Sequence, residues 1–124
     1  LKKYPEVKGI LGTSSFDAPG TARAIDELGL KGKVFTAGTG MPAANAQILK
    51  DGSVSALTLW DPANAGYAMA SLATKILRGD TIEDGVNLGV EGYENMHFSP
   101  GSTKVLEGNS WLKITQDNVD SLGF

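Results

Sequence analysis

Three short clusters hold the groups in this sequence that can do chemistry: Thr13-Ser14-Ser15, Gly38-Thr39-Gly40 and Trp60-Asp61. Hydroxyls donate and accept hydrogen bonds, a carboxylate accepts several, and an indole offers a flat apolar face. With backbone amides that glycine leaves approachable, this set suits a small neutral polyol: the indole packs on the C–H face of a sugar ring while the oxygens meet its hydroxyls. The candidate ligand-binding residues are therefore Thr13, Ser14, Ser15, Thr39, Trp60 and Asp61, and none of them needs to titrate. Each also has a structural use. Asp61 before Pro62 suits a helix N-cap, Trp60 suits a core position at a strand end, and Ser14 and Ser15 suit a turn. Asp17 is assigned to capping alone.

Other chemistry finds less support. There is no cysteine, which removes disulfides, thiolate metal sites and cysteine nucleophiles. His97, the one histidine, lies in a glycine-rich tail without an acid or serine at recognisable spacing, and reads as a surface or hinge residue. The acid pairs Asp26-Glu27 and Glu83-Asp84 read as solvated, and metal-ligand spacing is lacking. No catalytic residue, metal or cofactor is expected. The charge of −3 comes from 11 basic and 14 acidic residues with the signs interspersed, which argues against a nucleic-acid partner. No apolar run approaches the roughly 20 residues of a membrane span, so membrane insertion is not expected. One enzyme motif stands as an alternative. Gly38-Thr39-Gly40-Met41-Pro42-Ala43 fits the dinucleotide fingerprint, with Asp61 about 20 residues on, as an NAD-dependent enzyme would have it. Against it, Pro42 opens a helix of little more than two turns, and the motif follows the second strand rather than the first.

The elements that must position these clusters alternate in type. Val7 to Gly12, Lys33 to Ala37 and Val54 to Trp60 have strand character, and each leads through a turn into a segment of helical period. The first helix starts at Asp17 with Pro19 in its first turn, buries Ala22, Ile25 and Leu28, and stops at Gly29. The second ends at Lys50 before Asp51-Gly52. The third follows Asp61-Pro62, carries apolar residues at Ala65, Met69, Leu72, Ala73 and Ile76, and closes at Gly79. Such βα alternation predicts an α/β fold with a parallel sheet, whose ligands bind outside the carboxyl ends of the strands. In the tail, Val86 to Val90, Lys104 to Leu106 and Trp111 to Ile114 are weak strand candidates, and Thr115 would cap a last helical turn, Gln116 to Leu122. Leu1 to Pro5 reads as the end of a helix begun in earlier residues, so an N-terminal part is expected ahead of Leu1.

At Tyr4-Pro5-Glu6-Val7-Lys8-Gly9-Ile10, Glu27 to Val34, Leu49-Lys50-Asp51-Gly52, Leu59-Trp60-Asp61-Pro62, Gly85 to Glu94 and Ile114 to Asp120 the chain resembles the type I periplasmic sugar-binding proteins of ABC transporters, within them the rhamnose and autoinducer-2 binding branch. The resemblance implies a Rossmann-like three-layer α/β/α fold, incomplete here. It implies residues 1–60 in the C-terminal ligand-binding lobe, a hinge at 61–62, residues 63–88 pairing with an N-terminal lobe that is missing, and a hinge-crossing tail at 89–124. It further implies a small sugar or autoinducer-2-like ligand, ABC permease subunits as partners, a signal peptide in the precursor, and a place in the periplasm or, as a lipoprotein, on the extracellular face. Thr13 to Ser15 match a ligand loop of the autoinducer-2 branch. Thr39 stands where many pentose binders place an aspartate, which turns the expectation toward a deoxysugar or autoinducer-2-like ligand. Lac-repressor-type regulators share the fold, so an effector-binding piece of such a regulator is a second alternative. The exposed face of the helix after Pro62 is expected to drive self-association as a homo-oligomer.

Overall fold

The structure, a computed structural model, describes residues 1–124. Its elements run β1 (Gly9–Leu11), α1 (Asp17–Glu27), β2 (Phe35–Thr39), α2 (Pro42–Lys50), β3 (Ala56–Trp60), α3 (Pro62–Leu77), β4 (His97–Phe98), β5 (Leu106–Glu107), β6 (Trp111–Ile114) and a 3-10 turn at Val119–Ser121. They divide into two compact units, residues 1–59 with 113–124, and residues 60–112.

The first unit is built on a sheet in the order β1-β2-β3-β6, in which β1 pairs parallel with β2 and β2 with β3. Leu57 and Leu59 turn to the buried side of β3, and Ala18, Ala22 and Ile25 of α1, Leu49 of α2, Val54, Ile114 and Val119 complete the core. Leu28, expected in that core, is partly exposed, since α1 has already ended when Leu28 becomes its C-cap. Gly29 then takes φ +65°, a conformation that lets the Leu30 N–H close back on the Ile25 carbonyl at 2.9 Å. The buried polar groups are all bonded: Thr36 Oγ1 donates to the Ile10 carbonyl, Asn45 Nδ2 to the Met41 carbonyl, and Ser53 Oγ to Asp26.

Strand limits shift from the predicted ones for identifiable reasons. The amides of Lys33 and Val34 turn back to the Leu30 carbonyl, so β2 begins at Phe35. Val54 donates to the Ile48 carbonyl and closes α2, so β3 pairing starts when the Ser55 N–H reaches the Thr36 carbonyl. β1 is only three residues, although the Phe35 N–H to Lys8 carbonyl and Gly12 N–H to Ala37 carbonyl bonds extend its pairing on both sides. Leu1 to Val7 is not helical. It makes two successive turns, with Tyr4 N–H on the Leu1 carbonyl and Val7 N–H on the Tyr4 carbonyl, a path Pro5 favours by keeping the residue before it out of helical conformation. Asn118 replaces the predicted last helix with a 3-10 turn: its side chain accepts from Thr115 N–H and donates to the Lys113 carbonyl, competing with helical bonding.

In the second unit α3 lies over a small core of Ala68, Leu88 and Met96, flanked by Leu72, Val86, Val90, Tyr93 and Leu106. Met69 and Ile76, which share the predicted apolar spacing, are exposed. The predicted strand Val86 to Val90 is a run of turns instead, leaving one antiparallel bridge from Val86 to Met96; Gly85, Gly89 and Gly92 all take positive φ there. The strand candidate at Lys104 to Leu106 starts later, at Leu106, because the Ser102 hydroxyl accepts from both Lys104 and Val105 amides. Its partner, the strand His97–Phe98, has no clear sequence signal.

Candidate functional site

The six candidate residues stand at the carboxyl ends of β1, β2 and β3. Thr13, Ser14 and Ser15 form the exposed turn after β1. Its backbone is pinned by Asp17, whose Oδ2 accepts from Thr13 N–H at 2.9 Å and Ser14 N–H at 3.0 Å. Asp17 is thus not the cap of α1. Phe16 occupies that position without a side-chain bond, and the Asp17 carboxylate, one residue inside the helix, holds the loop. Ser14 Oγ also accepts from Phe16 N–H at 3.2 Å, so one lone pair of that hydroxyl is committed to the turn. Thr39 ends β2, half-buried and in register with Thr58 of β3. The end of β2 packs closely on the residue that follows β1: a Cβ on Gly38 would stand 3.1 Å from the Gly12 carbonyl oxygen.

The glycines of the dinucleotide-like motif serve the packing of this unit. A Cβ on Gly40 would meet Asn45 Nδ2 at 2.9 Å and Leu57 Cδ1 at 3.3 Å, so the space beside it belongs to the protein. At the start of α2, Ala43 N–H already donates to the Phe124 carbonyl. A pyrophosphate bound by such a motif needs those amides and that close approach.

Trp60 ends β3 and is 43% exposed. Asp61 is the N-cap of α3: its Oδ1 accepts from Ala63 N–H at 2.7 Å and Asn64 N–H at 3.1 Å. The Trp60 ring meets Trp111 edge to face, centroids 5.7 Å apart and planes at 81°. Trp60, Trp111, Tyr93, Ser110 and Gly108 line a recess of about 170 Å³. Sequence reasoning does not single out Trp111 or Tyr93; a second tryptophan in a short polar-flanked strand is the only local signal.

His97 has the acid partner that its spacing concealed. Its Nδ1 lies 2.9 Å from Asp84 Oδ2 and its Nε2 2.8 Å from Asn95 Nδ2, while Asp84 Oδ1 accepts from Phe98 N–H at 2.7 Å. In the tautomer whose Nδ1–H donates to Asp84, Nε2 accepts from the Asn95 amide. The hydrogen bond from His97, and then that from the Phe98 amide, hold the Asp84 carboxyl below the ordinary aspartate range. No group of three His, Asp or Glu side chains stands together as a metal would require. A concavity of about 840 Å³ lies along β1 and α1; it is lined by Leu1, Lys2, Leu11, Phe16 and Leu28 among others, and by none of the six candidates.

Comparison with known proteins follows the same lines. A family model described as "Periplasmic binding protein domain" matches residues 1–81. Among solved structures, the chain is similar to a sugar ABC transporter from Actinomyces odontolyticus ATCC 17982, with 29% identity and TM-score 0.78, over 100% of this chain and 39% of that one. It is similar to LsrB from Clostridium saccharobutylicum in complex with AI-2, with 21% identity and TM-score 0.72, over 100% and 42%. It is also similar to GanP, a glucose-galactose binding protein from Geobacillus stearothermophilus, with 20% identity and TM-score 0.71, over 95% and 35%. The mostly parallel sheet with its helices matches the type I fold of periplasmic binding proteins in part, and the chain spans 35–42% of the length of these structures.

Proposed function

We propose that this chain, which belongs to the periplasmic binding protein domain family, is part of the solute-binding component of an ABC sugar uptake system, without catalytic chemistry of its own. The ligand is a small sugar such as rhamnose or an autoinducer-2-like molecule, a class to which the names of two similar structures refer. The observation that carries the reading is the content of three parallel strand ends: hydroxyls of Thr13, Ser14 and Ser15 after β1, that of Thr39 at the end of β2, and an exposed indole closing β3. A neutral polyol is the ligand such a set recognises, hydroxyl against hydroxyl and ring face against indole. Asp61 adds a carboxylate whose Oδ1 is engaged in capping, leaving Oδ2 to accept from a ligand hydroxyl.

In the same reading residues 1–60 serve one lobe, 61–62 the hinge, 63–88 the other lobe and 89–124 the crossing tail; the change of compact unit at Leu59/Trp60 supports the place of the hinge alone, since the second unit runs on to Leu112. A permease recognises the loaded protein, the precursor carries a signal peptide, and the site of action is the periplasm or, for a lipoprotein, the extracellular face. No helix of the chain is long and apolar enough to cross a membrane. The face of α3 bearing Met69, Ile76 and Leu77, all exposed, mediates self-association. The test is calorimetric titration of the full-length protein with a panel of pentoses, deoxyhexoses, hexoses and autoinducer-2. One sugar-like ligand should saturate it, and Trp60→Ala should weaken binding by about 10-fold or more. Unchanged affinity in both Trp60→Ala and Asp61→Ala would refute the site.

A further inference from the structure

We propose that Trp111 is a positioning residue for the ligand face of Trp60, and that Tyr93 and Ser110 complete a slot that grips the C–H edge of the bound sugar ring; this rests on the sugar-binding reading of Trp60. An indole at a strand end, 43% exposed, is free to change rotamer, and fixing it on binding lowers affinity. Here the edge-to-face contact with Trp111 at 5.7 Å and 81° fixes it in advance. That geometry lies within the range where aromatic pairs attract beyond simple burial.

Burial does not explain the place of Trp111, which is 60% exposed. The chain leading to it does. Gly92, at φ +80°, lies so close to Ser110 that a Cβ there would stand 2.8 Å from Ser110 Cβ and 2.9 Å from its Cα. Gly108 is packed the same way, its would-be Cβ 2.6 Å from Met96 Sδ and 3.1 Å from the Gly92 carbonyl oxygen. Two glycine contacts thus clamp 108–110 onto 92, and the next residue, Trp111, arrives beside Trp60 with Tyr93 across the recess. Two exposed indoles, a phenol and a hydroxyl around about 170 Å³ are a costly arrangement for a surface to keep dry contacts with, and a suitable one for a ring with one apolar edge and flanking hydroxyls.

The chain has only two tryptophans, which gives a readout that needs no ligand. In Trp111→Phe and Trp111→Ala, Trp60 is the sole indole emitter. The steady-state anisotropy of its emission should be high in the Phe variant, whose ring keeps an edge on Trp60, and lower in the Ala variant. The wild type should show a tryptophan exciton couplet in circular dichroism that both variants lose. In titration with the sugar that binds wild type, Trp111→Ala should weaken affinity by about 3- to 10-fold, with Trp111→Phe restoring most of it. Equal anisotropy in the two variants overturns the proposal, because Trp111 then does not hold Trp60. If Trp60→Ala loses affinity while Trp111→Ala binds as wild type, the sugar site stands and the role of Trp111 falls. If neither substitution changes affinity, both fall together.

Discussion

Asp17 and Asp61 show how the same residue type does different work one position apart. Asp61 precedes its helix and caps it, whereas Asp17 is already inside α1 and reaches back to the amides of Thr13 and Ser14. Asp17→Ala should therefore cost on the order of 1 kcal/mol in chemical denaturation and raise amide exchange in the 13–15 loop; unaltered exchange there would contradict its loop-holding role. Asp84 gives the pH dependence. Its carboxyl is held low by His97 and the Phe98 amide, so the folded-state pKa lies below the unfolded one. The stabilising contribution is complete above the unfolded value of about 4 and is lost as pH falls through the lower folded value. The Phe98 amide shift should accordingly titrate below the ordinary aspartate range and lose that titration in Asp84→Asn. Gly92 is the third such residue: Gly92→Ala forces a Cβ onto Ser110 at positive φ, and strain of about 1–2 kcal/mol from the φ alone should appear as a lower unfolding midpoint.

At the scale of elements, α3 is the best-marked helix because its start and stop are local signals. Asp61-Pro62 sets the first turn, and Gly79, at φ +85°, ends it one residue past the Arg78 cap. Asp61→Ala should lower stability by about 1 kcal/mol through the two orphaned amides, and an effect below a few tenths would mean the cap is replaced by water. β3 is held from one side: Leu57, fully buried, should cost about 2–5 kcal/mol as Leu57→Ala. These elements were legible because apolar period, Asp-Pro and glycine stops all act within a few residues. Strand onsets were less so, since Lys33, Val34 and Val54 spend their amides on turns that only the folded chain reveals. The 85–110 region was least legible. Its bonds join Val86 to Met96 and His97 to Glu107, and its turns depend on glycines at positive φ rather than on periodicity. The same distance hid Trp111 from Trp60 and Asp84 from His97.

For the whole molecule, Thr13 to Ser15 follow β1, Thr39 ends β2 and Trp60 ends β3. The chain spans 35–42% of the structures it resembles, and Met69, Ile76 and Leu77 of α3 are exposed. Sedimentation of the chain at rising concentration should show self-association that Leu77→Ser weakens; a monomer at every concentration would remove that role from α3. The proposed function requires that the strand ends, and not the groove along β1 and α1, hold a sugar. Amide and indole chemical-shift mapping of the labelled chain, titrated with the sugar that binds the full-length protein, tests it most directly, since weak binding suffices. Shifts are expected at Thr13, Ser14, Ser15, Thr39 and the Trp60 and Trp111 indoles. Shifts confined to Leu11, Phe16, Thr21 and Leu28 would contradict it.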